Sequence, residues 1–170
     1  MSNLPYIQPE KDLRLNLGVL LVLINNLAET KRNKKILTLR KLQIFYFLVT
    51  RPSFLNGVLD RSGKPQFIMH EKDYYTVGTL SRNVDKLFDR RTLQKMMLML
   101  SSKGYIRAIY SRTEGFVFEL SESGVASAEK LTGEYFFRIK ELVEQLKPLR
   151  SQPSNGLYKK VNNVLNQELK

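Results

Sequence analysis

The chain has 170 residues, 42% hydrophobic and 26% charged, the balance of a soluble domain with a real core rather than of a disordered segment. With no cysteine it can form neither a disulfide nor a thiolate metal site, so a reducing compartment fits, and its single histidine, His70, has no second histidine with which to share a metal. The formal net charge of +12 fits a polyanionic partner or a generally basic solvated surface, and the excess lies in the first two thirds, with 9 basic against 4 acidic groups in residues 1–60, 11 against 6 in 61–120 and 8 against 6 in 121–170.

The opening "MSNLPYIQPEKD" has no cationic stretch followed by an apolar one, so no signal peptide is expected. The most apolar run, "LGVLLVLI" from Leu17 to Ile24, is too short to span a bilayer. A cytoplasmic chain without membrane contact is the expectation.

Pro9-Glu10-Lys11-Asp12 has the chemistry of a helix start, and the helix should run to about Thr30. Leu13, Leu17, Leu20, Ile24 and Leu27 form its stripe, while Val19, Leu21, Val22 and Leu23 fill the other sides. A helix apolar nearly all round is either a central core helix or one covered by another chain. On the second alternative Leu21 and Val22 bind a partner. "KRNKK", Lys31 to Lys35, follows as a basic connector, either a solvated loop or a phosphate contact through Lys31, Arg32, Lys34 and Lys35.

A second helix is predicted from Thr38 to Val49, stopped by Pro52, which opens a short third helix in "PSFLNGVL". Asp60 to Pro65 reads as a loop, and a further helix is predicted from about Tyr75 to Leu87 despite Gly78. Asp89 caps a helix from Arg90 to Ser102, which Lys103-Gly104 ends. "YIRAIYS" and "FVFELS" alternate as strands around the turn "RTEG", with Phe116, Phe118 and Leu120 on one face and Val117 and Glu119 on the other. Ser121 caps a helix that continues through "GEYFFRIKELVEQLKPL" until Pro148 breaks it. A last helix carries Leu157, Val161, Val164, Leu165 and Leu169 on one side. These two amphipathic helices serve oligomer or partner contacts, or else complete the core.

The fold expected is mostly α with a small β-hairpin: a winged helix-turn-helix at 37–131, preceded by a helix and basic connector at 1–36 and followed by a helical extension at 132–170. The stretch from Asp89 to Leu131 resembles the core of winged-helix regulators such as the MarR and PadR families, in which a Leu-rich recognition helix ends in Lys-Gly-hydrophobic. Leu120-Ser121-Glu122-Ser123-Gly124 matches the Leu-Ser/Thr-x-x-Gly helix start that follows the wing in those families.

Fold does not settle function. On the helix Arg90–Ser102, Leu93, Met96, Met97 and Leu100 share the core face, and Arg91, Lys95, Leu98 and Ser102 the opposite one. That outer face is read as free of Asn and Gln, so little base-specific hydrogen bonding is expected there. Arg91, Lys95, Arg107 and Arg112 suit DNA phosphates. Leu98 suits a thymine methyl or a protein partner.

Leu37 to Leu59 resembles middle components of bacterial ABC-three-component systems: Lys41-Leu42-Gln43, the aromatic Phe45-Tyr46-Phe47, Arg51-Pro52, then Leu55-Asn56-x-x-Leu59. Such subunits accompany a long coiled-coil, SMC-like ATPase and an effector, as in Lamassu-type defence against phage and plasmids. The resemblance implies a non-catalytic adaptor between the two that touches DNA. The sequence holds no Gly-rich phosphate loop, no G-x-S-x-G and no nucleophile–base pair. Neither enzymatic activity, a cofactor nor a small-molecule substrate is therefore expected. The alternative is a dimeric winged-helix transcription regulator binding duplex DNA.

Overall fold

A computed structural model describes residues 12–74 and 89–168. Among them the chain is mostly helical with one two-stranded antiparallel hairpin, in a winged-helix-like arrangement. The elements are α1 (Leu13–Leu27), α2 (Leu39–Val49), α3 (Pro52–Arg61), the single turn α4 (Glu71–Tyr74), α5 (Arg90–Ser102), β1 (Ile106–Ser111), β2 (Gly115–Leu120), α6 (Glu122–Glu129), α7 (Glu134–Leu146), a 3-10 turn at Lys147–Leu149 and α8 (Ser154–Glu168). The helix predicted at Tyr75–Leu87 lies outside the described residues, as do Pro9–Lys11 and Leu169.

Helix α1 begins where Asp12 accepts hydrogen bonds from the backbone N–H groups of Arg14 and Leu15. Every residue from Gly18 to Ile24 is buried, because α2, β2, α6 and α7 surround it. This decides between the two readings of the helix. Leu21 is 6% exposed and Val22 1%, so both belong to the chain's own core and present no surface to a partner. The helix also stops at Leu27, short of the expected Thr30. There the chain doubles back: Ile36 N–H donates to the Ala28 carbonyl, Thr30 N–H to that of Lys34, and the Thr30 hydroxyl accepts from the N–H groups of Arg32 and Lys34. A threonine side chain that satisfies local backbone in this way competes with the helix.

Thr38 caps α2, and Pro52 opens α3 at its first turn, as the sequence predicts. Asn56 on α3 exchanges two hydrogen bonds with the backbone of Phe67, pinning the following loop to the helix. Lys41 is buried, and its ammonium group donates to the Arg150 carbonyl at 3.0 Å. Burial lowers its pKa.

The hairpin register pairs Ile106 with Leu120, Ala108 with Phe118 and Tyr110 with Phe116 on one face, and Arg107 with Glu119 and Ile109 with Val117 on the other. Residues just before α2 join its second edge: Thr38 bridges to Val117, and Phe118 N–H donates to the Leu37 carbonyl. The helix expected to continue from Ser121 to Pro148 is two helices. Residues 130–133 separate them, and Gly133 has φ +96°, which a right-handed helix does not admit. Buried residues of α7 and α8, among them Phe136, Ile139, Leu146, Leu157 and Val161, belong to the same hydrophobic cluster as those of α1 and α2. The C-terminal helices therefore complete the core.

Candidate nucleic-acid interface

Helix α5 is set by its two ends. At its start Asp89 accepts from Thr92 N–H at 3.1 Å and from the Thr92 hydroxyl at 2.6 Å. These hydrogen bonds, then the nearby positive charges of Lys95 and Arg91, hold the Asp89 carboxyl below its usual pKa. At its end Gly104 takes φ +72°, so that Gly104 N–H donates to Ser101 O and Tyr105 N–H to Leu100 O. That pair of bonds is a Schellman cap, and it turns the chain directly into β1. Leu93, Met96, Met97 and Leu100 face inward as expected.

Arg91, Lys95 and Ser102 are exposed, and Leu98 is 69% exposed among them. Gln94 is also exposed, which corrects the expectation that the outer side of this helix lacks Asn and Gln. It sits about 60° from Arg91 around the helix, at the edge of the arc that the sequence reading covered. Met99, 40% exposed, lies about 100° from Leu98 around the helix, on the far side of Lys95.

The basic connector and the hairpin come together, although nearly eighty residues separate them in sequence. Lys34 pairs with Glu114 at 3.1 Å, Lys35 with Glu29 and with Glu119 at 2.5 Å, and Arg107 with Glu119 at 3.2 Å. Three of the expected phosphate-contacting cations are thus engaged with carboxylates. These partly exposed pairs hold the connector against the hairpin and supply little net stability each. Lys31 and Arg32, at the tip of the connector turn, and Arg112, in the hairpin turn, stay exposed. Among the described residues, Arg91, Lys95, Lys31, Arg32 and Arg112 make no ion pair with a carboxylate within 4 Å.

A second polar cluster lies elsewhere. Asp73, buried, pairs with Arg138, accepts from His70 N–H at 2.9 Å, and shares Arg138 with Glu141. The guanidinium occupies the centre of this group. Among the described residues no three of His, Asp and Glu gather as a metal site, and no helix is long and apolar enough to cross a membrane.

The sequence reading missed two aromatic side chains. Tyr110 and Phe116 face each other across the hairpin with ring centroids 5.5 Å apart and stand largely in solvent. Alternation places Phe116 on the face of Leu120, and that face is buried at its Ile106–Leu120 end, partly covered at Phe118 and open at Tyr110 and Phe116.

A family model described as "ABC-three component (ABC-3C) system Middle Component 4" matches residues 27–159. Comparison with curated proteins and with solved structures gave no match.

Proposed function

The chain belongs to the family of ABC-three component system middle component 4, and from that membership we propose that it is a non-catalytic adaptor in a Lamassu-type defence complex directed against phage and plasmids. Its partners in this reading are an SMC-like ATPase and an effector, and it touches duplex DNA without sequence preference. A middle component of a multi-component system has protein partners, and the outer surface of α5 suits both kinds of contact. Leu98, exposed just beyond Lys95 on the face it shares with Arg91 and Lys95, is the observation that carries the reading. A helix devoted to reading bases would present polar side chains across that arc. A helix shared between protein and DNA presents an apolar centre with phosphate-seeking cations beside it. Chemistry is assigned to the partners, because the sequence holds neither a phosphate loop nor a nucleophile–base pair.

The test is a pull-down of tagged protein from its own host, identified by mass spectrometry, beside a DNA titration at several salt concentrations. Leu98→Arg places a charge in the protein contact, so partner recovery should fall while DNA affinity holds or rises, at a desolvation cost of about 2 kcal/mol or more in the complex. Arg91→Ala and Lys95→Ala should weaken duplex binding equally on unrelated sequences and lower the salt slope by roughly one for each lost phosphate contact. Intact partner recovery by the Leu98→Arg protein together with tighter DNA binding would favour the dimeric transcription regulator instead.

A further inference from the structure

The two faces of the hairpin have different surroundings. One carries Val117, which is buried, and Glu119, which pairs with Lys35 of the connector and with Arg107. The other carries Ile106 and Leu120, which are buried, Phe118, which is partly buried against the core, then Ala108, Tyr110 and Phe116, which are exposed. Tyr110 and Phe116 are 69% and 65% exposed, meeting edge to face at an interplanar angle of 73°. Scattered apolar residues at a surface need no explanation. A cross-strand pair of rings, each two thirds in solvent, leaves ring surface on which another flat group can lie.

The carboxylates near the rings are already paired. Both acidic residues of the hairpin, Glu114 and Glu119, are held by cations: Lys34 on the first, Lys35 and Arg107 on the second. Arg112, in the turn between Tyr110 and Phe116, is exposed and has no carboxylate partner among the described residues. An occupant that is flat, aromatic and anionic complements this surface. A blunt duplex offers phosphates but keeps its bases stacked inside, whereas an unpaired strand offers both.

We propose that the Tyr110–Phe116 pair is a stacking site for unpaired bases of single-stranded DNA, with Arg112 on the phosphates of the same strand. The site rests on the reading that this basic surface meets DNA, and it adds a preference for opened or tailed DNA over intact duplex.

The probes are fluorescently labelled oligo-dT and a blunt duplex, titrated against the full chain by anisotropy. Tyr110→Leu/Phe116→Leu keeps apolar bulk and removes both rings; Tyr110→Phe keeps a ring. The double variant should bind oligo-dT roughly tenfold more weakly or worse, as loss of base–ring stacking requires. It should bind the duplex as the wild type does, and Tyr110→Phe should retain oligo-dT binding. Its thermal midpoint should be unchanged, since both rings stand in solvent, and a lowered midpoint directs the comparison to Tyr110→Leu alone. Wild-type binding of both probes, with no loss of oligo-dT affinity in the ring-free protein, overturns the stacking site and leaves duplex contact standing. Absence of binding to either probe overturns both. Unchanged oligo-dT binding with lost partner recovery assigns the rings to a protein contact and overturns the proposal.

Discussion

Gly124 lies directly against the chain that leads into the hairpin: a Cβ built there would come within 2.0 Å of the Tyr105 carbonyl oxygen. That close approach gives the Leu120-Ser121-x-x-Gly124 pattern a physical meaning. Ser121 N–H donates to the same Tyr105 carbonyl, its hydroxyl donates to Gly104 O at 2.6 Å, and Gly124 N–H donates back to the hydroxyl at 3.1 Å. One serine thus caps α6 and ties the return of the hairpin to its entry. Gly124→Ala forces backbone apart and should lower stability by about 2–4 kcal/mol, near the upper range for overpacking. Ser121→Ala loses a cap and should cost about 1 kcal/mol. Urea midpoints with unchanged m-values measure both, and equal small losses would show that the carbonyl contact gives way easily. The pattern was legible in the sequence. The reason for its glycine was not, because Tyr105 reaches it only through the hairpin fold.

Helix α5 shows what an isolated element reveals. Its cap, its inward face and its exposed Leu98 follow from the 3.6-residue period and from Asp89 and Gly104. The pairing of Lys34, Lys35 and Arg107 with carboxylates does not, since it depends on where the connector lands on the hairpin. Charge type alone made these three look like phosphate contacts. Asp89 itself gives a prediction. Its pKa is lowered in the folded chain, chiefly by the Thr92 hydrogen bonds. A depressed carboxylate contributes stability that is present above its unfolded value, about 3.9, and is lost as pH falls through the folded value. The carboxylate is well exposed, so solvent screening keeps the contribution small. Asp89→Asn should therefore be nearly neutral at low pH and destabilising by a few tenths of a kcal/mol at pH 7, because asparagine still caps. Asp89→Ala should cost about 1 kcal/mol at pH 7. Thermal midpoints of the three proteins across that pH range test this, and a difference between wild type and Asp89→Asn that grows on acidification would refute the assignment.

At the scale of the molecule, the expected division at 1–36, 37–131 and 132–170 meets a hydrophobic cluster that runs through all three segments. Periodicity shows that a helix hides one face; it does not show against what, and so α7 and α8 read equally well as an extension or as part of the core. Contacts answer this: α7 packs on α1 and α2, and α8 on α2 and α3. Gly18 lies so close to α7 that a Cβ there would stand 2.5 Å from the Phe136 ring, and one on Gly57 would stand 2.9 Å from Val164 of α8. Deleting residues 132–170 removes these partners and bares buried apolar side chains of α1, α2 and α3 that lie in one hydrophobic cluster with them. A buried aliphatic side chain of this kind is worth about 1.5–3 kcal/mol, and a domain retains only about 5–15 kcal/mol in total. Losing the cover over several at once exceeds that margin. The truncated chain should therefore lose its cooperative thermal transition, bind a hydrophobic dye and aggregate. Supplying residues 132–170 in trans should restore little, because two separate chains must meet the cost of association. If the shortened protein instead melted cooperatively and kept duplex DNA affinity, the C-terminal helices would be an appendage to a self-sufficient winged-helix unit, and their apolar faces would become candidates for the partner contact now assigned to Leu98.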